Sequence, residues 1–323
     1  MMAKSPKSTA EIAKLVAKLT SLHVSSDRDK ILRTSLDLLL CHDEAGNPLP
    51  KPRLFSRGLE IHGLGVSDAS GGGKTHLIHT CLTKHPALSA GADGPARFLH
   101  VTVPSPASLK SLGCEILRVS GYPEISERRE RWSIWNIVRN RLTALGIVVL
   151  WVDEAHDLIS TKNEVKDLLK TLKRLMQGDQ GIIVLLSGTD LLLDLLYFDD
   201  EVDRRFKKIQ LPPIIDATEG DALRTVIARF CEISDLERPT EADLVPRLIH
   251  GCRGRFGMCI EKSIEAIELA LTEGAVGLST RHYAEAWGGS NAHSDEQNVF
   301  VNPKWASIDL NRRRPLKAGK ILK

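Results

Sequence analysis

No stretch of this chain approaches the roughly eighteen apolar residues that a membrane span needs, and Met1 to Ala10 lack the apolar core of a secretion signal. A cytoplasmic, reducing location with no membrane partner is therefore the expectation. Cysteine is sparse and scattered: six residues, at 41, 81, 114, 231, 252 and 259, form no Cys-x-x-Cys pair and no zinc-like spacing. They point to buried free thiols rather than metal ligands or a disulfide framework. No Ser-His-Asp or Cys-His arrangement stands out, and His76 and His79 have no third ligand nearby to make a metal site. Charge of one sign is also missing, because a net charge of +3 neither demands nor excludes nucleic acid. There is no internal repeat. What remains, 323 residues with 42% hydrophobic and 26% charged composition, is an ordinary globular chain able to bury one large core or two modest ones.

Against that background two local patterns are informative. Ser70-Gly71-Gly72-Gly73-Lys74-Thr75 follows an apolar strand candidate, residues 59–66, and opens a helical run, residues 75–82. This is the context of a phosphate-binding loop. Backbone N–H groups wrap the phosphates there, glycines remove the Cβ atoms that would block the approach, and the helix start turns its dipole toward anionic oxygens. The nucleotide-binding candidates are Asp68, Ala69, Ser70, Gly71, Gly72, Gly73, Lys74, Thr75 and His76. Lys74 would reach the β and γ phosphates, and Thr75 would hold Mg²⁺. The second pattern, Ile147-Val148-Val149-Leu150-Trp151-Val152, is a buried strand that ends in Asp153-Glu154. Asp153 is the second metal candidate, and Glu154, one residue on, is the natural general base for an attacking water. Together the patterns imply binding and hydrolysis of a nucleoside triphosphate, with ATP and Mg²⁺ as cofactors.

One position departs from the usual loop, which begins with glycine where this chain has Asp68. A carboxylate about 4 Å from a phosphate charge would cost about 4 kcal/mol at an effective dielectric of 20. Asp68 is therefore expected to turn away from the phosphates and hydrogen-bond its own turn.

Along the rest of the chain, helices are expected over residues 9–22 and 26–41, with a Pro- and Gly-bearing linker over 43–52. Strands over 96–103, 147–153, 181–187 and 206–211 alternate with helices over 107–120, 125–145, 163–177 and 191–197. The apolar face of the 125–145 helix, including Trp132, is expected in the core. Such alternation predicts an α/β fold whose parallel sheet is covered by helices on both faces. Beyond Pro213 only helices are expected, over 218–233, 240–250, 255–273 and 280–287, with a capping box at Thr240 to Asp243. The expected domains are an N-terminal helical segment and linker (1–52), a P-loop core (53–213), a small all-helical lid (214–287), and a flexible linker with a basic tail (288–323). That tail, carrying Lys304, Arg312, Arg313, Arg314, Lys317, Lys320 and Lys323, suits either a solvated end or an arm for DNA or a partner.

A single P-loop core with a helical lid, a hydroxyl at Ser187 or Thr189 on a strand end, and Asp203-Arg204-Arg205-Phe206 before the last strand resembles an AAA+ ATPase. The resemblance implies that Ser187 or Thr189 positions the attacking water (sensor 1). It also implies that Arg204 or Arg205 enters a neighbouring subunit's site as an arginine finger, and that Arg255, with Arg253 as the less favoured alternative, reports the γ-phosphate (sensor 2). Further stretches are similar to the TniB/TnsC family of transposition ATPases: the helix over 27–40, Val101-Thr102-Val103-Pro104-Ser105-Pro106, Gly121-Tyr122-Pro123, Asp153-Glu154-Ala155-His156-Asp157-Leu158 and Ser187-Gly188-Thr189. This similarity implies a homo-oligomer, ring or filament, assembled on duplex target DNA with ATP bound. It further implies a cognate transposase as partner and release on hydrolysis. DNA would be held nonspecifically through phosphates, with Lys110, Arg128, Arg129 and Arg131 as candidates. A P-loop adaptor acting on protein partners without DNA filaments, in the manner of a helicase loader, is the alternative. Asp153-Glu154-Ala155-His156 also spells a helicase signature, but those enzymes need two such domains and this chain has one P-loop.

Overall fold

The computed structural model of the chain describes residues 7–91, 94–126, 128–158, 162–291 and 297–310. They form two compact units, one drawn from residues 25–212 and the other from residues 1–24 together with 213–323. The first boundary falls between α1 (Thr9–Ser21) and α2 (Asp27–Asp37), so the anticipated N-terminal segment is not a unit of its own. Each helix has its own start signal. Ser8 and Glu11 form a reciprocal capping box on α1, and Ser26 and Asp29 do the same on α2.

The expected helix over 26–41 ends early, because β1 (Leu40–His42) turns back antiparallel onto β2 (Pro48–Pro52). That hairpin occupies most of what reads as a linker. Asp43 closes the turn by accepting from the backbone N–H groups of Ala45 and Asn47. Proline in β2 is tolerable because a two-stranded ribbon leaves half its N–H groups without a ladder partner. A second short ribbon follows, β3 (Leu54–Phe55) with β4 (Glu60–Ile61).

The main sheet holds five parallel strands in the order β6-β7-β8-β5-β9. In chain order they are β5 (Gly63–Ser67), β6 (Phe98–Thr102), β7 (Val149–Asp153), β8 (Ile183–Gly188) and β9 (Phe206–Gln210). Every residue of β5, β7 and β8 is buried, so these strands are covered on both faces, which is why they read as unbroken apolar runs. The helices are α3 (Lys74–Thr83), α4 (Leu109–Val119), α5 (Arg131–Ala144), α6 (Lys162–Leu175), α7 (Leu191–Tyr197) and the short α8 (Asp200–Asp203). Of these, α4 packs on β6 and α7 on β5 and β8. The order puts β5 between β8 and β9 while the chain leaves β5 for the far edge at β6. The carboxyl ends of β5, β8 and β7 therefore flank the topological switch point, the usual ligand position in such sheets.

Helix α5 begins at Arg131 rather than near Ile125, leaving Arg128 and Arg129 in the turn before it. Ile134, Trp135 and Val138 are buried as expected, whereas Trp132 is 68% exposed and not part of the core. The second unit is helical: α1 packs with α9 (Asp216–Ser234), α10 (Leu244–Gly251), α11 (Phe256–Thr272) and α12 (Thr280–Asn291) around Phe230, Ile267, Tyr283 and Trp287. The capping box expected at Thr240 to Asp243 does not form. Asp243 instead pairs with Arg247 at 2.7 Å, and Glu241 accepts from the backbone N–H of Thr280. Nor is 288–298 a simple linker, since α12 continues to Asn291 and Asn298 is buried ahead of the core residues Val299 and Phe300. The basic tail from residue 311 lies outside the described residues. No cysteine is bridged; four are buried and Cys41 and Cys114 half-buried. No helix among the described residues is long and apolar enough to cross a membrane.

Candidate nucleotide site

The loop between β5 and α3 supplies the first half of the site. Gly71 and Gly73 hold positive φ, 80° and 92°, a conformation that glycine adopts without the strain a Cβ would add. Gly73 is the residue before the first turn of α3, so that turn's free N–H groups open toward the loop. Gly72 has a different reason for being glycine. A Cβ there would stand 2.0 Å from Asp68 Oδ2, because the Asp68 carboxylate fills the space behind it. Asp68 is buried and does turn inward, but its main partner is not its own turn. Arg28, from α2, reaches its Oδ2 at 3.1 Å. Burial pushes the Asp68 carboxyl above its ordinary range, and Arg28, the Ala69 N–H and Lys74 oppose that rise.

Strand β7 supplies the second half. Its register against β8 sets Val152 beside Leu186, which brings the next residues, Asp153 and Ser187, level with each other. Asp153 is buried; its Oδ2 accepts from Thr75 Oγ1 at 2.7 Å and its Oδ1 from Ser187 Oγ at 2.5 Å and from the Glu154 N–H at 3.0 Å. A hydroxyl from the P-loop helix and a carboxylate from the end of β7 thus meet, two oxygen donors of the kind Mg²⁺ takes beside water and phosphate. Lys74 is buried with Nζ 3.8 Å from Glu154 Oε1, so the phosphate lysine and the candidate base face the same space. Glu154 sits at φ 55°, left-handed for a non-glycine residue, at a cost of about 1–2 kcal/mol. Its own N–H to Asp153 Oδ1 and the Asp157 N–H to its carbonyl hold it there.

Ser187 and Thr189 separate in role. The Ser187 hydroxyl is committed, donating to Asp153 and accepting from Trp151 Nε1 at 2.7 Å. The Thr189 hydroxyl is buried with no hydrogen-bond partner among the described residues. Beside them His156 Nδ1 lies 3.3 Å from Glu154 Oε2. Trp151 also stacks on His100 at 3.7 Å between ring centroids, and burial lowers the His100 pKa.

The two finger candidates also differ. Arg205 is buried and bound to Glu60 Oε1 at 2.5 Å, whereas Arg204 bonds the same oxygen at 2.9 Å with its side chain 59% exposed. Ser56, then Arg205 and Arg204, hold Glu60 below the usual carboxylate range. Of the pair, only Arg204 is placed to meet another molecule without leaving the interior. Ala69 is half-buried and Ser70, Thr75 and His76 are exposed. Arg255, half-buried, precedes the first turn of α11 in the helical unit. Lys110 is half-buried in the first turn of α4, Arg128 and Arg129 are exposed, and Arg131 lies 3.8 Å from Asp167. Arg28, Glu60, Trp151 and His156 took no part in the sequence reading of the site. Arg28 and Glu60 lie far from their partners along the chain, and nothing local marks them.

The bacterial TniB family matches residues 56–215, a span that contains the loop, Asp153, Glu154, Ser187, Thr189 and both arginines. Over this segment, just under half of the chain, the sequence is similar to the TniB family. No curated protein matches the chain. Among solved structures, Cdc6p from Pyrobaculum aerophilum superposes with a TM-score of 0.63 at 13% identity, covering 90% of this chain and 74% of that one. ORC1 from Aeropyrum pernix, solved in complex with DNA, gives 0.55 at 14%, covering 92% and 68%. ORC2 from the same organism, in ADPNP–ADP complexes, gives 0.53 at 18%, covering 85% and 72%. These likenesses establish the fold, an AAA+ P-loop core with a small helical unit.

The matched segment therefore carries an ATP-hydrolysing site whose cofactors are ATP and Mg²⁺. When bound, the metal neutralises phosphate charge. The geometry suits the chain's own residues to the rest: Lys74 and the loop N–H groups would orient the phosphates, Thr75 and Asp153 would hold the metal, and Glu154 would accept a proton from water. Lys74→Ala is expected to weaken ATP binding by about ten- to a hundredfold, the worth of a hydrogen bond to a charged group. Isothermal titration calorimetry reads it, and binding at wild-type strength would remove Lys74 from the site.

Proposed function

We propose that this protein is an ATP-dependent, DNA-binding regulator of transposition. It oligomerises on target DNA, recruits or activates a transposase, and is released by hydrolysis. The observation that carries this reading is that the TniB match contains the phosphate loop, Asp153, Glu154 and the exposed Arg204 together. An arginine given to a neighbour's site makes nucleotide state and assembly state thermodynamically linked. ATP then favours the oligomer and hydrolysis dissolves it. On this reading Thr189, whose hydroxyl has no partner among the described residues, takes the water-positioning role, and Arg255 senses the γ-phosphate. Lys110, Arg128, Arg129 and Arg131 would meet DNA phosphates, a contact without sequence preference. The likeness to an ORC1 solved with DNA is in keeping with such a role.

Duplex DNA is expected to stimulate ATP turnover and to raise the sedimentation coefficient of the ATP-bound protein. Both effects should fade as salt rises and phosphate contacts are screened. Turnover and sedimentation indifferent to DNA at low and moderate salt would favour the protein-adaptor alternative instead.

A further inference from the structure

We propose that Arg28 is a positioning residue for the phosphate loop, the obligatory counter-charge that lets this loop begin with the carboxylate of Asp68 and still bind a nucleoside triphosphate. The inference rests on the ATP site described above and adds a residue from outside the TniB match.

Three contacts define the arrangement. From α2, Arg28 Nη1 reaches Asp68 Oδ2 at 3.1 Å and the Gly72 carbonyl at 3.2 Å, and Nη2 donates to the Pro212 carbonyl. Both charged side chains are over nine-tenths buried. A buried carboxylate is costly unless the countercharge paired with it stays in place. Here the carboxylate also lies beneath a loop that must accept several phosphate charges, so its own charge opposes the ligand across a short, poorly solvated distance. The guanidinium cancels that charge. By holding the Gly72 carbonyl it also turns one peptide of the loop away from the phosphates, so that the carbonyl oxygen does not compete with the N–H groups.

Gly72 is the independent sign that Asp68 belongs to the loop's architecture rather than being a tolerated accident. Its backbone is not in the left-handed region, unlike that of Gly71 and Gly73. Its missing side chain makes room for the Asp68 carboxylate, since the three nearest atoms to a Cβ would be Oδ2, Cγ and Oδ1 of Asp68. Arg28, Asp68 and Gly72 therefore form one interlocked set, in which each residue type is explained by the other two.

The test uses the full chain and titration calorimetry with ATP, alongside thermal melting without nucleotide. Arg28→Met keeps the bulk and removes the charge, and is expected to raise the ATP Kd at least about tenfold. Adding Asp68→Gly to that variant should recover at least about tenfold of the loss, because the uncompensated carboxylate is gone. A merely structural role would not produce this recovery, since the Gly72 and Pro212 contacts are missing from both variants. Should Arg28→Met alone fail to melt cooperatively, the double variant is expected to fold and bind ATP. The inference is overturned if Arg28→Met binds ATP like the wild type, or if the double variant stays unfolded or binds no better than Arg28→Met. Wild-type protein that ignores ATP would instead strike at the ATP site itself.

Discussion

Glu154→Gln protein is expected to bind ATP normally and to turn it over about 10²- to 10⁴-fold more slowly, the range for loss of a positioned general base. The amide keeps the size of the carboxylate and its reach toward Lys74 Nζ, which stands 3.8 Å from Oε1, but cannot accept the proton of the attacking water. The left-handed backbone at Glu154 makes the substitution clean, because glutamine inherits the same strained φ and the same Asp153 contact through its N–H. Single-turnover hydrolysis with excess enzyme separates chemistry from product release. On the proposed function, the variant should also accumulate as an ATP-bound assembly on DNA. Wild-type turnover by Glu154→Gln would show that the proton goes elsewhere, and His156, 3.3 Å from the same carboxylate, would become the first alternative.

Arg204→Ala is expected to reduce turnover about 10³-fold or more, the lower bound of what arginine fingers supply, while leaving each subunit's own ATP affinity nearly intact. The effect should depend on protein concentration, appearing only where subunits meet. Mixing Arg204→Ala with Lys74→Ala protein then pairs an intact Lys74 site in one subunit with an intact Arg204 from the other, and partial activity should return. Failure to rescue at every mixing ratio would rule out a finger acting between subunits. Arg205 cannot substitute without abandoning Glu60 and exposing a side chain that is only 5% accessible. Breaking such a buried pair costs about 3–5 kcal/mol.

Much of the catalytic set is local in the chain, and that locality made it legible. A glycine loop between strand and helix must present N–H groups wherever it occurs, and an acidic pair after an unbroken apolar strand must emerge at the carboxyl edge of the sheet. Positions such as Lys74, Thr75, Asp153 and Glu154 followed from those rules. The hairpin β1–β2 did not, because its three prolines mark loop and edge strand alike. Trp132 was misplaced because its helix starts six residues later than periodicity alone indicates.

By itself the sequence determined a parallel α/β sheet with a phosphate loop for a triphosphate and magnesium, and it named the candidate residues around them, since these depend on neighbours along the chain. Tertiary structure alone decided which of two hydroxyls is committed, which of two arginines is exposed, and how Asp68 is neutralised. Those choices turn on strand register and on burial beside residues remote in the chain: Ser187 level with Asp153, Arg205 closed against Glu60, Arg28 brought under the loop. A desolvated charge must find its partner wherever the fold supplies one, and no local pattern records that distance.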